Sequence, residues 1–314
     1  MAADLPCKET ALLVGHQGPV HSVRFNSDGN YCMTCGSDKL VKLWNPHGAE
    51  GKLLKTYGGH GYEVLDVVAS GDSGRLASCS ADRTIVLWDV TTGQVIRRYR
   101  GHIAKVNAVK FNQPDSTVIM SASYDATVRC WDTKSRSQDP VQIIDDAKDS
   151  IPTLQVSQHE ILTGSVDCKV RNYDIRMGSL VVDSLGEPVT SVAFSQDSQC
   201  VLVSTLDNTI RLMDKATGEL LNEYVLHALF KGHQNKDYKV DSCFTNTDTH
   251  VLSGSEDGNI YIWDLIEAKI VHTIEKAHNS VCYSMSYHPK EACLVTASAD
   301  GAVKVWRPND WEPE

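Results

Sequence analysis

An internal repeat runs through the whole of this sequence and limits the folds that it can adopt. A Trp-Asp pair, or a degenerate form of it, ends seven successive units. The pairs begin at Trp44, Trp88, Trp131, Tyr173, Met213, Trp263 and Trp306, with spacings of 44, 43, 42, 40, 50 and 43 residues. A period of about 40–45 residues is typical of a four-stranded β-propeller blade. Because each repeat packs mainly on its neighbours, we expect residues 1–314 to form one repeat domain.

The strand pattern inside each unit agrees with this period. In the first unit an alternating run at 20–25 is followed by a turn cluster and by strand-like runs at 31–36, 41–44 and 53–57. The last unit lacks a fourth run, because only a short, Pro-containing tail follows Trp306. Residues 9–14 precede the first unit and can supply that strand. We therefore predict an all-β, seven-bladed propeller closed by its N-terminal strand.

Five units share a polar set with fixed spacing. Each has a His after Gly or Ala, a Ser or Thr four residues before an Asp, and a Trp six residues after that Asp. The sets are His16, Thr34, Asp38, Trp44; His60, Ser78, Asp82, Trp88; His102, Ser121, Asp125, Trp131; His233, Ser253, Asp257, Trp263; and His278, Thr296, Asp300, Trp306. We interpret each set as a buried hydrogen-bonded chain, because a catalytic triad would not recur at one phase in five repeats.

Two units depart from this pattern. The fourth keeps Thr163, Asp167 and Tyr173 but lacks the His, and the fifth keeps Asp207 but has Val203 and Met213 at the Ser and Trp positions. We expect both blades to form without the full chain of hydrogen bonds and to be less rigid.

Composition and motifs narrow the range of functions that we expect of this chain. The chain has 30 basic and 40 acidic residues, a net charge of −10 that argues against nucleic acid as a direct partner. The ten cysteines follow no secretory signal, so we expect them to be reduced in an intracellular protein. The pair Cys32 and Cys35 has no second pair at zinc-site spacing, and no phosphate-binding, dinucleotide or H-E-x-x-H motif occurs. We expect no enzyme activity, no cofactor and no metal.

Candidate binding residues lie where the loops of a propeller converge at one end of its channel. They are His21, Tyr62, Glu63, Lys105, Asn107, Tyr124, Lys148 and Glu256, a mixture of aromatic and charged side chains that suits protein recognition. The long spacing before Trp263 places an apolar insertion at 225–230, including Leu229 and Phe230. It either forms a partner-binding patch, extends a strand or folds over the edge. The basic run at 97–100 falls on an outer strand, where we interpret it as solvated charge rather than an RNA contact.

The stretches RFNSDGNYCMTCGSD, VRNYDIRMG and LDNTIRLMDKATGELL, together with the Trp-Asp endings, resemble the WD-repeat β-propeller family over nearly the whole chain. The resemblance implies a non-enzymatic scaffold for components of the extracellular-signal-regulated kinase cascade. It also implies spliceosomal protein partners in pre-mRNA splicing, residence in cytoplasm and nucleus, and a monomer within larger complexes. An alternative is a substrate receptor of a cullin-type ubiquitin ligase, because the segment 173–176, ending at Arg176, resembles a WDxR box.

Overall fold

The structure, a computed structural model, describes residues 5–48, 51–215, 217, 218, 220, 221, 229, 230 and 232–312, with residues 229 and 230 described by their backbone alone. Strands within each unit pair antiparallel in chain order, from the channel outward.

The seven inner strands are β2 (Val20–Phe25), β6 (Val64–Ala69), β10 (Val106–Phe111), β14 (Thr153–Val156), β18 (Val189–Phe194), β22 (Ser242–Phe244) and β26 (Cys282–Tyr287). The second strands are β3 (Cys32–Gly36), β7 (Arg75–Ser80), β11 (Val118–Ser123), β15 (Glu160–Gly164), β19 (Cys200–Thr205), β23 (His250–Ser253) and β27 (Leu294–Ser298). The third strands are β4 (Leu40–Asn45), β8 (Thr84–Asp89), β12 (Val128–Asp132), β16 (Lys169–Asp174), β20 (Thr209–Asp214), β24 (Ile260–Asp264) and β28 (Val303–Arg307). The outer strands are β5 (Lys52–Gly58), β9 (Val95–Arg100), β13 (Gln142–Ile144), β17 (Ser179–Ser184), β21 (Leu229–Phe230), β25 (Ile270–Ile274) and, in the last blade, β1 (Lys8–Leu13).

These seven four-stranded sheets form a ring. Each inner strand contacts the inner strand of the next blade, and β2 contacts β26. The outer strand of the last blade comes from the other end of the chain, because β1 pairs antiparallel with β28. The predicted all-β, seven-bladed propeller is confirmed. No helix among the described residues is long and apolar enough to cross a membrane.

Burial falls from the channel to the rim, as expected of blades that pack face to face. In the first blade every residue of β3 is buried, whereas most of β5 is exposed. Among the described residues the core is divided into seven hydrophobic clusters, each combining side chains from two adjacent blades. Between the first and second blades, for example, Met33 and Tyr57 pack with Val67 and Trp88. Each blade is therefore stabilised by its neighbours rather than by a core of its own.

The antiparallel order gives the ring two faces. We call the face at which the inner strands begin the upper face; it also carries the turns between second and third strands. The residue after the turn Asp has a positive φ in every blade, and it is Gly258 or Gly301 in the last two. In the first two blades the same left-handed position holds Lys39 and Arg83, with φ values of 66° and 67°.

Candidate functional site

The polar sets form hydrogen-bonded chains at the upper end of the blades. In the third blade the Trp131 Nε1–H donates to Ser121 Oγ at 2.9 Å, and Ser121 Oγ lies 2.8 Å from His102 Nε2. His102 Nδ1 lies 2.8 Å from the carboxylate of Asp125. Burial alone would raise the pKa of Asp125, but hydrogen bonds from His102 and Thr127 hold it well below its usual range. Each buried polar group is thus satisfied by the next.

The first, second and last blades show closely related geometry. Trp44 and Trp88 donate to Thr34 and Ser78 at 2.8 Å, and Trp306 donates to Thr296 at 2.9 Å. The His-to-hydroxyl distances are 2.7 Å for His16, 2.8 Å for His60 and 2.8 Å for His278. The His-to-Asp distances are 2.8 Å to Asp38, 3.0 Å to Asp82 and 3.6 Å to Asp300. The last chain is therefore looser at its carboxylate end.

The sixth blade differs from the sequence expectation. Among the residues that the structure describes, neither ring nitrogen of the buried His233 has a hydrogen-bond partner, and Ser253 donates to a backbone carbonyl. The Asp257 oxygen that would face the imidazole instead accepts hydrogen bonds from Asn259 at 3.0 Å and from the Tyr261 hydroxyl at 2.8 Å. Among these residues the expected chain of His233, Ser253, Asp257 and Trp263 is not assembled, and the Tyr261 hydroxyl is hydrogen-bonded to the carboxylate instead.

The fourth and fifth blades replace the missing histidine with arginine. Arg171 donates to both carboxylate oxygens of Asp167, at 3.1 and 2.7 Å, and its side chain is buried. Arg211 approaches Asp207 at 2.6 Å in the same way. Both arginines lie four residues after the turn Asp, where Tyr261 lies in the sixth blade. A bidentate Arg–carboxylate pair holds such a turn strongly. We had not predicted these ion pairs when we expected the two blades to be less rigid.

The anchored turns surround the upper opening of the channel, which we call the mouth. In five blades the pairing of the inner and second strands shifts by one residue near the start of the inner strand. Such a bulge leaves one residue unpaired and re-aims its side chain. The five bulged residues all line the mouth, a cavity of about 550 Å³, and are His21, Leu65, Asn107, Thr190 and Tyr283.

Aromatic and charged side chains share this lining. The rings of His21 and Tyr238 lie 5.7 and 5.9 Å from the ring of Tyr283. Elsewhere in the lining of the mouth, Lys105 Nζ lies 5.4 Å from the centre of the Tyr124 ring. Burial lowers the pKa of His21 and raises that of Tyr283. The mouth therefore presents flat rings bordered by charges of both signs, a surface suited to an extended peptide segment.

Five of the eight residues predicted at the mouth line it: His21, Glu63, Lys105, Asn107 and Tyr124. Tyr62 lies outside this lining with its ring 5.8 Å from Lys39 Nζ. Lys148 is exposed and its backbone N–H donates to Asp167 at 2.9 Å. Sequence reasoning missed Leu65, Thr190, Tyr238 and Tyr283. Three of these could have been found, because they occupy the same position in their inner strands as His21 and Asn107.

Glu256 does not line the mouth but supports a loop that does. Its carboxylate accepts hydrogen bonds from the backbone N–H groups of Lys236, Asp237 and Tyr238, at 2.7, 2.8 and 3.0 Å. Burial alone would raise the pKa of Glu256, but these N–H groups lower it. The residue therefore positions the loop that carries Tyr238.

The remaining candidates lie elsewhere. Arg176 lies in the turn between β16 and β17, on the face opposite the mouth, and its backbone N–H donates to Asp174 at 2.8 Å. Its role in docking to a ubiquitin ligase stays a prediction. Leu229 and Phe230 form β21, paired with Arg211 and Ile210. The rest of the predicted insertion, residues 225–228, lies outside the described residues.

Below the mouth, ion pairs join four blades across the channel wall, and a serine of a fifth blade is hydrogen-bonded to them. Arg24 approaches Asp241 at 2.8 Å, and Lys110 approaches Asp66 at 3.2 Å. Arg24 also lies 3.6 Å from Asp66, so the two pairs are linked. Ser22 and Ser284 donate to the same two carboxylates, each at 2.8 Å. Burial alone would raise the pKa of Asp66, but the two cations hold it well below its usual range.

Comparison with known proteins agrees with this architecture. A model of the WDR41 propeller matches residues 54–282, and a model of the WD domain, G-beta repeat, matches 7–45 and 268–307. WD repeat domain-containing protein 83 of Rattus norvegicus is 52% identical over 313 residues, covering 100% of this chain and 96% of the relative. The chain belongs to the WD-repeat family. The human WD-repeat relative of the same name is 52% identical over 99% of this chain and 95% of its own length. The homologue in Dictyostelium discoideum is 35% identical over 94% of this chain and 96% of its own length.

Proposed function

We propose that this WD-repeat protein is a non-enzymatic scaffold that binds segments of partner proteins at its mouth. The observation that carries the proposal is the convergence of five bulged side chains on one cavity, beside Tyr124 and Tyr238. Tyr124 and Tyr238 are 57% and 46% exposed, so their rings are available to a partner. Aromatic residues are among those that most often dominate the binding energy of protein interfaces.

We further propose two groups of partners, on the basis of the resemblance of the sequence to WD-repeat scaffolds. They are components of the extracellular-signal-regulated kinase cascade and spliceosomal proteins, met in the cytoplasm and nucleus respectively. A rigid ring that holds two partners raises the effective concentration of each near the other. The net charge of −10 favours contact with the protein components of a spliceosome over contact with its RNA.

The test is capture from separate cytoplasmic and nuclear extracts by the recombinant full-length chain, followed by mass spectrometry. We expect kinase-cascade components in the first and spliceosomal proteins in the second. The double variant Tyr124→Ala/Tyr238→Ala should weaken capture by roughly tenfold or more, because both rings face the mouth.

The matched control removes two apolar side chains from the opposite face. Met177 and Ile266 are 75% and 76% exposed and lie in turns between third and outer strands. Met177→Ala/Ile266→Ala should bind partners as the wild type does. Equal capture by the wild type and the mouth variant would contradict the mouth as the binding site. Recovery of neither partner group by the wild type would contradict the scaffold assignment.

A further inference from the structure

A second surface of the ring carries unused positive charge. On the upper rim of the second blade, outside the mouth, lies a shallow hollow of about 680 Å³. We call it the basic hollow. Its walls include Arg83, Arg98 and Arg100, and its lining also includes Gly59, Gly61 and Gly101. Three arginines on one concavity are a concentrated positive surface in a chain whose net charge is −10.

The hollow keeps an excess of positive charge although Asp82 also lines it. The Asp82 carboxylate is already used inside the blade. It lies 3.0 Å from His60 and accepts hydrogen bonds from the Gly61 N–H at 2.8 Å and the Thr84 hydroxyl at 2.6 Å. Its closest arginine nitrogen, on Arg98, is 3.9 Å away. One carboxylate facing three guanidinium groups leaves the surface net positive.

The three arginines differ in how much of their hydrogen-bonding capacity is occupied. Arg98 is held by the Gly59 carbonyl at 2.6 Å and the Thr84 hydroxyl at 3.3 Å. Arg83 is exposed and makes one long contact, 3.4 Å, to the carbonyl of Ile103. The side chain of Arg100 is exposed and makes no hydrogen bond or ion pair within the part of the chain that the structure describes. The Arg98 side chain is therefore held in place, whereas Arg83 and Arg100 retain side-chain N–H groups that are free to donate.

The turn that carries Arg83 sets the position of its side chain. Arg83 has a φ of 67°, a left-handed conformation that the equivalent residue has in every blade. In the second blade it places a guanidinium group on the rim of the hollow.

We propose that the basic hollow binds a short acidic segment of a partner protein, rich in Asp and Glu. Arginine fits this ligand because its planar guanidinium group can donate two parallel hydrogen bonds to one carboxylate. A nucleic acid strand fits less well, because a long polyanion would extend beyond the hollow onto a surface of net negative charge. Tyr99, the aromatic residue between Arg98 and Arg100, is also buried and offers no face for stacking on a base.

The test uses the full-length chain and a fluorescein-labelled oligoglutamate peptide, followed by fluorescence anisotropy. The wild type should bind the peptide, and binding should weaken between about 0.05 M and about 0.3 M salt because the contacts are exposed. The double variant Arg83→Gln/Arg100→Gln should lose roughly tenfold in affinity, since each exposed contact contributes modestly. Neither residue belongs to the buried chain of the second blade, so the variant should fold normally by circular dichroism.

The control variant Lys134→Gln/Arg136→Gln removes two exposed cations from the turn between β12 and β13, on the opposite face. It changes the net charge equally and should bind as the wild type does. The mouth variant Tyr124→Ala/Tyr238→Ala should also bind normally, which separates this proposal from the proposed function. Equal affinity of the wild type and the hollow variant would overturn the proposal. The proposal would also be overturned if the protein bound a phosphoserine peptide but not oligoglutamate. The same holds if it bound an oligouridine of equal length more tightly than oligoglutamate.

Discussion

At the scale of single residues, equivalent positions in the repeat have different surroundings. His102 is hydrogen-bonded through both ring nitrogens, whereas His233 has no partner among the described residues. Both are buried and both lie beside the Trp of their blade, at 6.1 and 5.6 Å between ring centres. The two histidines therefore offer a comparison in which packing is similar and hydrogen bonding differs.

The first prediction compares His102→Leu with His233→Leu. Removing His102 takes one hydrogen-bond partner from the carboxylate of Asp125 and one from the hydroxyl of Ser121. The loss of these two buried hydrogen bonds should lower the free energy of unfolding by about 2–3 kcal/mol. Removing His233 breaks no hydrogen bond described here and should cost less than about 1 kcal/mol. Urea titration followed by circular dichroism measures both. Equal costs would mean that packing against the Trp, not hydrogen bonding, makes these histidines stabilising.

The second prediction concerns the stability of the protein at acidic pH. Burial lowers the pKa of His233 from 6.5 to about 4. Between these values the unfolded chain binds more protons than the folded chain, so stability that is complete above pH 6.5 is lost as the pH falls towards 4. The loss amounts to about 3 kcal/mol. Between pH 7 and pH 4.5 the wild type should therefore lose about 2 kcal/mol more than His233→Leu, as measured by urea titration. Parallel losses would show that His233 is protonated in the folded state.

At the scale of elements, the strand that completes the last blade is the most consequential. β1 lies almost the full length of the chain away from β28, with which it pairs, so its folding requires both ends of the sequence. Leu13 of this strand is 1% exposed and packs in the cluster between the first and last blades, while the adjacent Leu12 is 44% exposed. The alternation follows from the pleat of a strand that has one buried face.

The third prediction follows from this alternation. Leu13→Ala should lower the free energy of unfolding by about 3 kcal/mol, because it opens a cavity where the ring closes. Leu12→Ala should change it by less than about 0.5 kcal/mol, since its side chain already faces solvent. Thermal and urea denaturation measure both, and limited proteolysis should cut β1 earlier in Leu13→Ala. A stable Leu13→Ala protein would indicate that β1 contributes little to holding the ring closed.

At the scale of the whole molecule, the channel ion pairs connect blades that are distant in sequence. Arg24 in the first blade reaches Asp241 in the sixth, and Lys110 in the third reaches Asp66 in the second. Buried charges contribute net stability only when their partners are in place. The blades must therefore take their final positions before these groups are satisfied, which ties the ring together as one unit.

The fourth prediction is a double-mutant cycle on this network. Arg24→Met and Asp241→Asn should each lower the free energy of unfolding by about 3 kcal/mol, because each removes the closest opposite charge from the remaining partner. The double variant should cost less than the sum by about 1–3 kcal/mol. A control cycle on Lys269 and Glu267, an exposed pair at 3.1 Å, should give a coupling below about 1 kcal/mol. Additive costs for Arg24 and Asp241 would show that the two charges act independently.

Sequence patterns were enough to predict the number of blades, the approximate strands and the origin of the outer strand in the last blade. These are local or periodic properties: a Trp-Asp ending recurs every 40–50 residues, and alternation marks each strand. The spacing of His, Ser or Thr, Asp and Trp also predicted which side chains would meet in most blades. Such pairings repeat because the same turn brings the same positions together.

The pairing of individual polar groups, in contrast, depends on the folded ring. The turn Asp is paired with a different side chain in different blades, with Tyr261 in the sixth and Arg171 in the fourth. The lining of the basic hollow comes from residues 59–102, whereas the mouth arises where the inner strands of several blades meet. Residues that line the mouth, such as His21 and Tyr283, are far from one another in sequence. Convergence of this kind depends on the curvature of the closed ring, which no single repeat encodes.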